Sequence, residues 1–166
     1  MTAELVKMPE PNQRPLKPRL EAIGVTHIVE VWKMFDRFQR DSGASHPSLE
    51  DETGETMRMH LYNMISSGTG VSGVIAKINK KPVGMILGNL QARPFGRPKV
   101  YFNVWASYVE PESRKRGLMK VLVNGLSEML RKVGCNHWEM SMPHGKAPSI
   151  EGLDCKELAM RVGGKV

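Results

Sequence analysis

Apolar residues recur at helical spacing in three long stretches of the chain. The first predicts a helix over residues 26–41 with Thr26 as its N-cap, and the second predicts a helix over about residues 50–67 that ends at the glycines of 68–70. The third begins after a basic turn and ends at Gly134. Its core-facing positions are expected to be Leu118, Val121, Leu122, Leu126, Met129 and Val133.

Alternating apolar and polar residues predict strands between and around these helices. Residues 71–78, 83–91 and 100–109 form three of them, joined by a hairpin turn at 79–82 and a loop at 93–98. A strand over residues 16–22 precedes the first helix, and a strand over 136–142 and a final helix over 149–162 follow the third. This order predicts a mixed α/β (α+β) fold, with helices on both faces of a central, mostly antiparallel sheet.

The length of 166 residues favours a single domain over residues 19–166, preceded by a flexible tail at 1–18 that is rich in proline and mixed charge. The sequence contains neither a membrane-length apolar run nor the apolar region of a secretory signal. Cys135 and Cys155 match no disulfide framework and are interpreted as reduced thiols. We therefore expect a cytoplasmic protein that does not associate with membranes.

The net charge of +7 indicates an acidic partner, which is nucleic acid, an anionic surface or a phosphorylated cofactor, although a solvated basic face explains it equally well. A nucleic-acid-binding module is one hypothesis, with Tyr101 or Trp105 available for stacking on bases. No RNP, KH or helix-turn-helix signature supports it. The basic residues that would contact phosphates in such a module are Arg93, Arg97, Lys99, Arg114, Lys115 and Arg116.

The turn before the third helix has the features of an anion-binding site. Residues 110–120 read EPESRKRGLMK and place four cationic side chains beside the first turn of the helix. Gly117 permits close backbone approach, and the unpaired N–H groups of a helix start favour phosphate. A solvated basic loop is the alternative for the turn taken alone, so its context in the chain decides the interpretation.

That context resembles the GNAT family of N-acetyltransferases. The strand 100–109, the turn and the long helix are similar to the part of the family that binds acetyl-coenzyme A at a [Q/R]-x-x-G-x-[G/A] turn after its fourth strand. Arg114 and Gly117 match this pattern, whereas Met119 stands where the family usually has Gly or Ala. The Met119 side chain is expected either to crowd the pyrophosphate or to point into the core.

The last residues of the chain also resemble the family, with departures. Residues 156–166 look like its closing helix, in which Leu158 and Gly163 match the pattern, while Ala159 and Gly164 replace the usual Tyr and Phe. The family usually continues with a final pair of strands, so the sequence predicts a truncated C-terminal end. The strand 136–142 would then have an open edge, which a homodimer would cover.

The resemblance implies a cofactor site and a reaction. Acetyl-coenzyme A would lie between strands 100–109 and 136–142, with its pantetheine arm bonded near Ser107, Tyr108 and Val109. An amine, on a protein or a small molecule, would attack the thioester directly, without a covalent enzyme intermediate. The residues expected to bind the pyrophosphate are Arg114, Lys115, Arg116, Gly117, Leu118, Met119 and Lys120.

The catalytic groups are harder to assign. Ala159 cannot replace the tyrosine that usually serves as acid, and Asn103 stands where some members carry a glutamate base, so its amide could only orient a water. Glu110, Tyr108 and His144 are the other candidates, although Glu110 is also explained as a solvated carboxylate and His144 as a loop residue. A catalytically degenerate GNAT fold that binds coenzyme A or a protein partner is therefore an alternative.

No metal is expected. Cys135, His137 and Glu139 would share one face of a strand, and His137-x-Glu139 matches half of the zinc-deaminase signature. The companion P-C-x-x-C is absent from the sequence, because Pro143 is followed by His-Gly-Lys. A half-exposed strand face is the simpler interpretation.

Overall fold

The computed structural model describes residues 17–42, 54–67, 72–92, 100–114 and 116–140. A 3-10 turn precedes α1 and another precedes α3. The elements are β1 (Arg19–Ala22), a turn (Val25–His27), α1 (Ile28–Ser42), α2 (Gly54–Ser66), β2 (Gly73–Ile78), β3 (Lys81–Ala92), β4 (Val100–Val109), a turn (Pro111–Ser113), α3 (Leu118–Lys132) and β5 (Trp138–Met140). No helix in these ranges is long and apolar enough to cross a membrane.

The five strands form one sheet in the order β1-β2-β3-β4-β5. Neighbours from β1 to β4 are antiparallel, and β5 joins β4 in parallel at the edge of the described sheet. This arrangement confirms the mixed, mostly antiparallel sheet predicted from the sequence. Residues 1–16 of the predicted tail, the loop 93–98 and the final helix 149–162 lie outside the described residues.

Helices cover both faces of the sheet, and each face has its own apolar core. On one face, α3 buries Leu122 and Leu126 in a cluster with Ile86 and Phe102. On the other face, α1 and α2 form a cluster with β2, β3 and the second half of β4. Its buried members are Ile23, Val31, Met34, Phe35, Leu61, Ile65, Ile75, Met85, Leu87, Ala106 and Tyr108.

Most element bounds agree with the sequence prediction, although β1 begins at Arg19 and β5 at Trp138, later than predicted, and three further details differ. Thr26 is not the N-cap of α1, because the chain enters through a 3-10 turn capped at Gly24, whose N–H donates to His27 Nδ1 at 3.2 Å. The hairpin turn is only Asn79-Lys80, both with positive φ, as a two-residue turn requires. Val133 is 52 % exposed, since the helix ends at Lys132 and turns at Gly134.

A β-bulge in the middle of β4 determines which side chains reach the site. Leu87 pairs with Ala106, but Gly88 pairs with Val104, so Trp105 is an extra residue in β4. The extra residue reverses the alternation of side chains along the strand. Phe102 and Val104 therefore face α3, whereas Ala106 and Tyr108 face α1 and α2.

Candidate cofactor and acyl-transfer site

A cleft of about 430 Å³ opens where β4 extends past β5. Among the described residues, β5 pairs with β4 only from Phe102 to Val104, and β4 itself runs on to Val109. The end of α1 and the start of α3 provide the other walls. The lining residues are Phe38, Asp41, Ser107, Tyr108, Val109, Ser113, Arg114, Gly117, Leu118 and Met119.

The backbone of β4 presents hydrogen-bonding groups to this cleft. The Glu110 N–H donates to the Val83 carbonyl of β3 at 3.0 Å. Because backbone groups alternate between the two sides of a strand, those of Ser107 and Val109 point away from β3, toward the cleft. Both residues were predicted to contact a pantetheine arm, and the structure places both on the cleft wall.

The start of α3, which forms one wall of the cleft, has the features of an anion-binding site. Gly117 has φ of 70° and caps the helix, and its carbonyl accepts the Val121 N–H at 3.2 Å. The N–H groups of Leu118, Met119 and Lys120 belong to the first helical turn and have no acceptor within the helix. Apart from its chain neighbours, no described residue has an atom within 4 Å of a Cβ placed at position 117, so the cradle has room for a phosphate group.

The cationic residues of the turn differ in their surroundings. Arg116 and Lys120 are exposed beside the helix start, whereas Lys115 lies outside the described residues. Arg114 folds back over the cleft: its Nε donates to the Val109 carbonyl at 2.9 Å and its Nη2 to Asp41 Oδ2 at 2.7 Å. The structure therefore pairs Arg114 with a carboxylate at the position where a phosphate contact was predicted.

Met119 lies between the core and the cleft. Its side chain is half-buried and packs against the core beneath α3, and it also lines the cleft. None of its atoms lies within 4 Å of a Cβ placed at position 117, so it leaves the space beside Gly117 open.

Tyr108 and Glu110 lie together beside α1. Glu110 is buried and forms an ion pair with Arg37 of α1. The Tyr108 hydroxyl lies 3.4 Å from Glu110 Oε2 and 3.4 Å from Asp41 Oδ2. Burial, and next the negative charge of Glu110, raise the pKa of Tyr108, so it remains a proton donor at neutral pH.

Asn103 occupies a second polar region, on the α1–α2 face before the bulge. It is half-buried on β4 and pairs in register with Glu139 of β5. The sequence analysis placed Glu139 on one strand face with His137, and this alternation was the sequence signal that pointed to Glu139.

Phe38 and Asp41 were not identified as site residues, because no local pattern brings the end of α1 to a turn some seventy positions later. His144 and Ala159 lie outside the described residues.

A hydrogen-bonded series of side chains continues this polar region. The Tyr101 hydroxyl donates to Gln91 Oε1 at 2.7 Å, and Gln91 Nε2 donates to Asn89 Oδ1 at 3.3 Å. The indole N–H of Trp105 donates to the same Asn89 oxygen at 3.0 Å. Two neighbouring strands therefore present a connected row of amide and aromatic groups.

A cleft beside the end of a central strand and the start of a helix is a geometry that suits a phosphorylated cofactor. Residues 31–148 match the model of the acetyltransferase (GNAT) family, and the chain belongs to that family. The resemblance described from the sequence is confirmed, and the family's cofactor is acetyl-coenzyme A. The cleft fits it, since an open glycine, free helix-start N–H groups and cations lie at one end.

Solved structures of acetyltransferases share the fold at low sequence identity. An acetyltransferase from Clostridium acetobutylicum, solved with acetyl-CoA, is 13 % identical, with a TM-score of 0.65 over 84 % of this chain and 96 % of that one. An aminoglycoside acetyltransferase from an uncultured soil metagenomic sample, in complex with sisomicin, is 11 % identical, with a TM-score of 0.66 over 90 % and 96 %.

A third similar structure belongs to an enzyme that is named for a different type of acceptor. The ribosomal-protein-alanine N-acetyltransferase from Brucella melitensis is 12 % identical, with a TM-score of 0.59 over 89 % of this chain and 100 % of that one. Among curated proteins, no match to the sequence was found. Membership of the acetyltransferase (GNAT) family, shown by the match over residues 31–148, establishes acyl transfer as the class of activity.

Proposed function

We propose that this protein is an N-acetyltransferase that transfers an acetyl group from acetyl-coenzyme A to a primary amine. The observation that carries the proposal is the cleft itself, where the last residues of β4 lie beside the start of α3. Acetyl-coenzyme A supplies the acetyl group, so that a C–N bond to the amine forms as the thioester C–S bond breaks and the thiol leaves.

Different groups of the chain bind different parts of acetyl-coenzyme A. The backbone groups of Ser107 and the N–H of Val109 bind the extended pantetheine arm in the manner of an added strand, while the Val109 carbonyl accepts from Arg114 Nε. The first-turn N–H groups of α3, together with Arg116 and Lys120, bind the pyrophosphate. Arg114 joins them when it leaves Asp41.

Tyr108 is the proton donor among the cleft residues. It lines the cleft, and its hydroxyl is protonated at neutral pH, because the ordinary pKa of a tyrosine is about 10 and burial raises the pKa of Tyr108 further. Glu110 is held by Arg37 and lies beside the Tyr108 hydroxyl. Glu110 therefore acts by positioning Tyr108 rather than by meeting the acceptor.

The nucleic-acid hypothesis receives less support from the described residues. Arg114 is paired with Asp41, so it does not add to an open basic face. Tyr101 is only 7 % exposed and bonds Gln91, which leaves it poorly placed to stack on a base. Arg93, Arg97, Lys99 and Lys115 lie outside the described residues.

Calorimetric titration with acetyl-coenzyme A and a thiol-release assay test the proposal. Sisomicin and a short peptide that begins with alanine serve as acceptor probes, because similar structures act on acceptors of these two types. Saturable cofactor binding and amine-dependent thiol release are expected, without binding to a short DNA duplex. Cofactor binding without thiol release would favour the degenerate fold, and the absence of cofactor binding at millimolar concentration would contradict both.

A further inference from the structure

The guanidinium of Arg114 lies among three groups that attract a cation. Its Nη2 donates to Asp41 Oδ2 at 2.7 Å, and its Nε donates to the Val109 carbonyl at 2.9 Å. Its central carbon lies 5.7 Å from the centre of the Tyr108 ring, within the range of a cation–π contact. All four residues line the cleft. The cleft therefore contains a cation site, made by a carboxylate, a carbonyl and an aromatic face, and a side chain of the protein occupies it.

The charge of this site depends on where Arg114 lies. Among the described residues that line the cleft, Asp41 and Arg114 are the charged ones, and each neutralises the other. Phe38, three residues before Asp41 on α1, adds an apolar side chain to the lining. The neighbouring carboxylate of Glu110 is buried and paired with Arg37. Removal of the Arg114 guanidinium would thus leave one uncompensated carboxylate beside aromatic and apolar surfaces.

The cofactor supplies an anion that competes with Asp41 for Arg114. Arg114 belongs to the turn before α3, where the first-turn N–H groups and the exposed Arg116 and Lys120 form the proposed pyrophosphate site. Both side chains of the pair between Asp41 and Arg114 are nearly half exposed, so solvent screens the pair and a phosphate group can replace the carboxylate. When Arg114 turns to the phosphate, the place beside Asp41 becomes open to another cation.

We propose that an ammonium group of the acceptor takes this place while a second nitrogen of the same molecule is acetylated, an inference that rests on the proposed acetyltransferase function. The pantetheine arm separates the thioester of acetyl-coenzyme A from its pyrophosphate. Asp41 lies beside the turn before α3, at the end of the cleft proposed for the pyrophosphate, so the ammonium that it holds is not the nitrogen that attacks. This ammonium stays protonated, with the Asp41 carboxylate accepting an N–H and the Tyr108 ring facing its charge. The acceptor class is an amine with two or more ammonium groups.

The exchange links the binding of the two ligands. The cofactor phosphate draws Arg114 away from Asp41, and the ammonium of the acceptor keeps Asp41 from taking Arg114 back. Because coupling between two sites is reciprocal, coenzyme A raises the affinity for the ammonium by the same factor by which the ammonium raises the affinity for coenzyme A. The exposure of the pair sets this factor at about two- to five-fold.

The first test uses the protein without cofactor. Spermine, a flexible chain with several ammonium groups, is titrated calorimetrically at low salt into Arg114→Gln and Arg116→Gln. Arg114→Gln vacates the place beside Asp41, whereas Arg116→Gln removes the same charge at an exposed position two residues later. Arg114→Gln should bind spermine about two- to five-fold more tightly than Arg116→Gln does. Equal affinities, or no binding to Arg114→Gln, overturn the proposal.

The second test measures the coupling. Spermine affinity is measured with and without saturating coenzyme A in the wild type, Asp41→Asn and Asp36→Asn, which changes an exposed carboxylate of the same helix. Coenzyme A should raise the affinity about two- to five-fold in the wild type and in Asp36→Asn but leave it unchanged in Asp41→Asn. Direct association of spermine with coenzyme A is the same for all three proteins, so it cancels in the comparison. Equal coupling in the three proteins, or none in the wild type, overturns the proposal.

These binding measurements decide the proposal whether or not spermine is acetylated. Where thiol is released, Asp41→Asn should raise the KM for spermine by the same factor and leave kcat unchanged, because Asp41 does not touch the reacting nitrogen. A large loss of kcat would instead place Asp41 at the reacting nitrogen and overturn the assignment. The proposed function fails separately, if acetyl-coenzyme A does not bind or if no acceptor releases its thiol.

Discussion

The guanidinium of Arg114 lies 2.7 Å from the carboxylate of Asp41, across the mouth of the cleft. The pair joins the turn before α3 to the C-terminal end of α1, and the Arg114 guanidinium also lies 5.7 Å from the centre of the Tyr108 ring. Asp41 is thus an anion at the position where a phosphate would meet Arg114. We infer that Asp41 and the cofactor compete for the same cation.

Asp41→Asn is therefore expected to tighten acetyl-coenzyme A binding. Both side chains of the pair are nearly half exposed, at 48 % and 44 %, so solvent screens the interaction and a gain of about two- to five-fold is expected. Calorimetric titration measures it. Asp36→Asn is the control, because Asp36 forms an exposed pair with Arg40 on the same helix, away from the cleft. Unchanged or weaker cofactor binding in Asp41→Asn would show that Arg114 does not exchange partners.

The strand–turn–helix unit of the site was predictable because its signals are local. The alternation of residues 100–109 gives β4 its observed bounds, and Gly117 and Gly134 bracket α3 as expected from their positive φ. The reversal of β4 at Trp105 was not predictable, because a bulge depends on the register with β3, which a single strand does not encode.

The side-chain partners within the site were also beyond local reasoning. Glu110 was considered as a base or as a solvated carboxylate, and the structure buries it against Arg37. The two residues are 73 positions apart, and only the packing of α1 over β4 brings them together. A position in a motif predicts the backbone of such a site better than it predicts the charges that surround it.

Gly117→Ala tests the cradle at the start of α3. A side chain at φ of 70° is strained and costs about 1 kcal/mol of stability, although the added methyl would meet no protein atom. The methyl would instead occupy the space expected for a phosphate, so acetyl-coenzyme A binding should weaken by about ten-fold or more. Thermal unfolding and calorimetric titration measure the two effects.

Gly134→Ala provides a matched control for that experiment. Gly134 has φ of 75° and equally open surroundings, but it lies at the other end of α3. The two variants should lose similar stability, and only Gly117→Ala should lose affinity. Equal affinities in both variants would place the pyrophosphate elsewhere.

Arg37→Ala is expected to destabilise the fold by about 2 kcal/mol. The side chain of Glu110 is only 6 % exposed, so removal of Arg37 leaves a buried carboxylate without its cationic partner. The expected loss of stability is smaller than for a fully buried ion pair, because the side chain of Arg37 is itself 46 % exposed. Urea unfolding monitored by circular dichroism gives the free energy of unfolding.

Two further variants separate this ion pair from a general effect of truncating an arginine. Arg40→Ala removes an exposed pair on the same helix and should change stability by less than about 0.5 kcal/mol. In the Glu110→Gln background, Arg37→Ala should cost much less than in the wild type, since no buried charge remains. An equal cost in both backgrounds would mean that Arg37 stabilises α1 through packing alone.

Glu21 is expected to make the stability of the protein depend on pH in the acid range. Its Oε2 lies 2.9 Å from His27 Nε2 and 3.4 Å from Lys77 Nζ, and the hydrogen bond to His27 is the largest cause of its lowered pKa. A carboxyl group with a lowered pKa in the folded state contributes stability above its ordinary pKa of 4.5, and this contribution is lost as the pH falls through the folded value.

Glu21→Gln should therefore flatten the decline of the urea midpoint as the pH falls below about 4.5, where the wild type loses the Glu21 contribution. Lys77 does not contribute to this pH dependence, because it stays charged throughout the acid range. Its pKa is raised, and its hydrogen bond to Glu30 is the largest cause. Glu128→Gln, an exposed change on α3, should leave the slope of the wild type intact. If the wild type and Glu21→Gln decline in parallel, the Glu21 contacts with His27 and Lys77 do not anchor β1 to the sheet, and the acid sensitivity of the fold arises from other carboxylates.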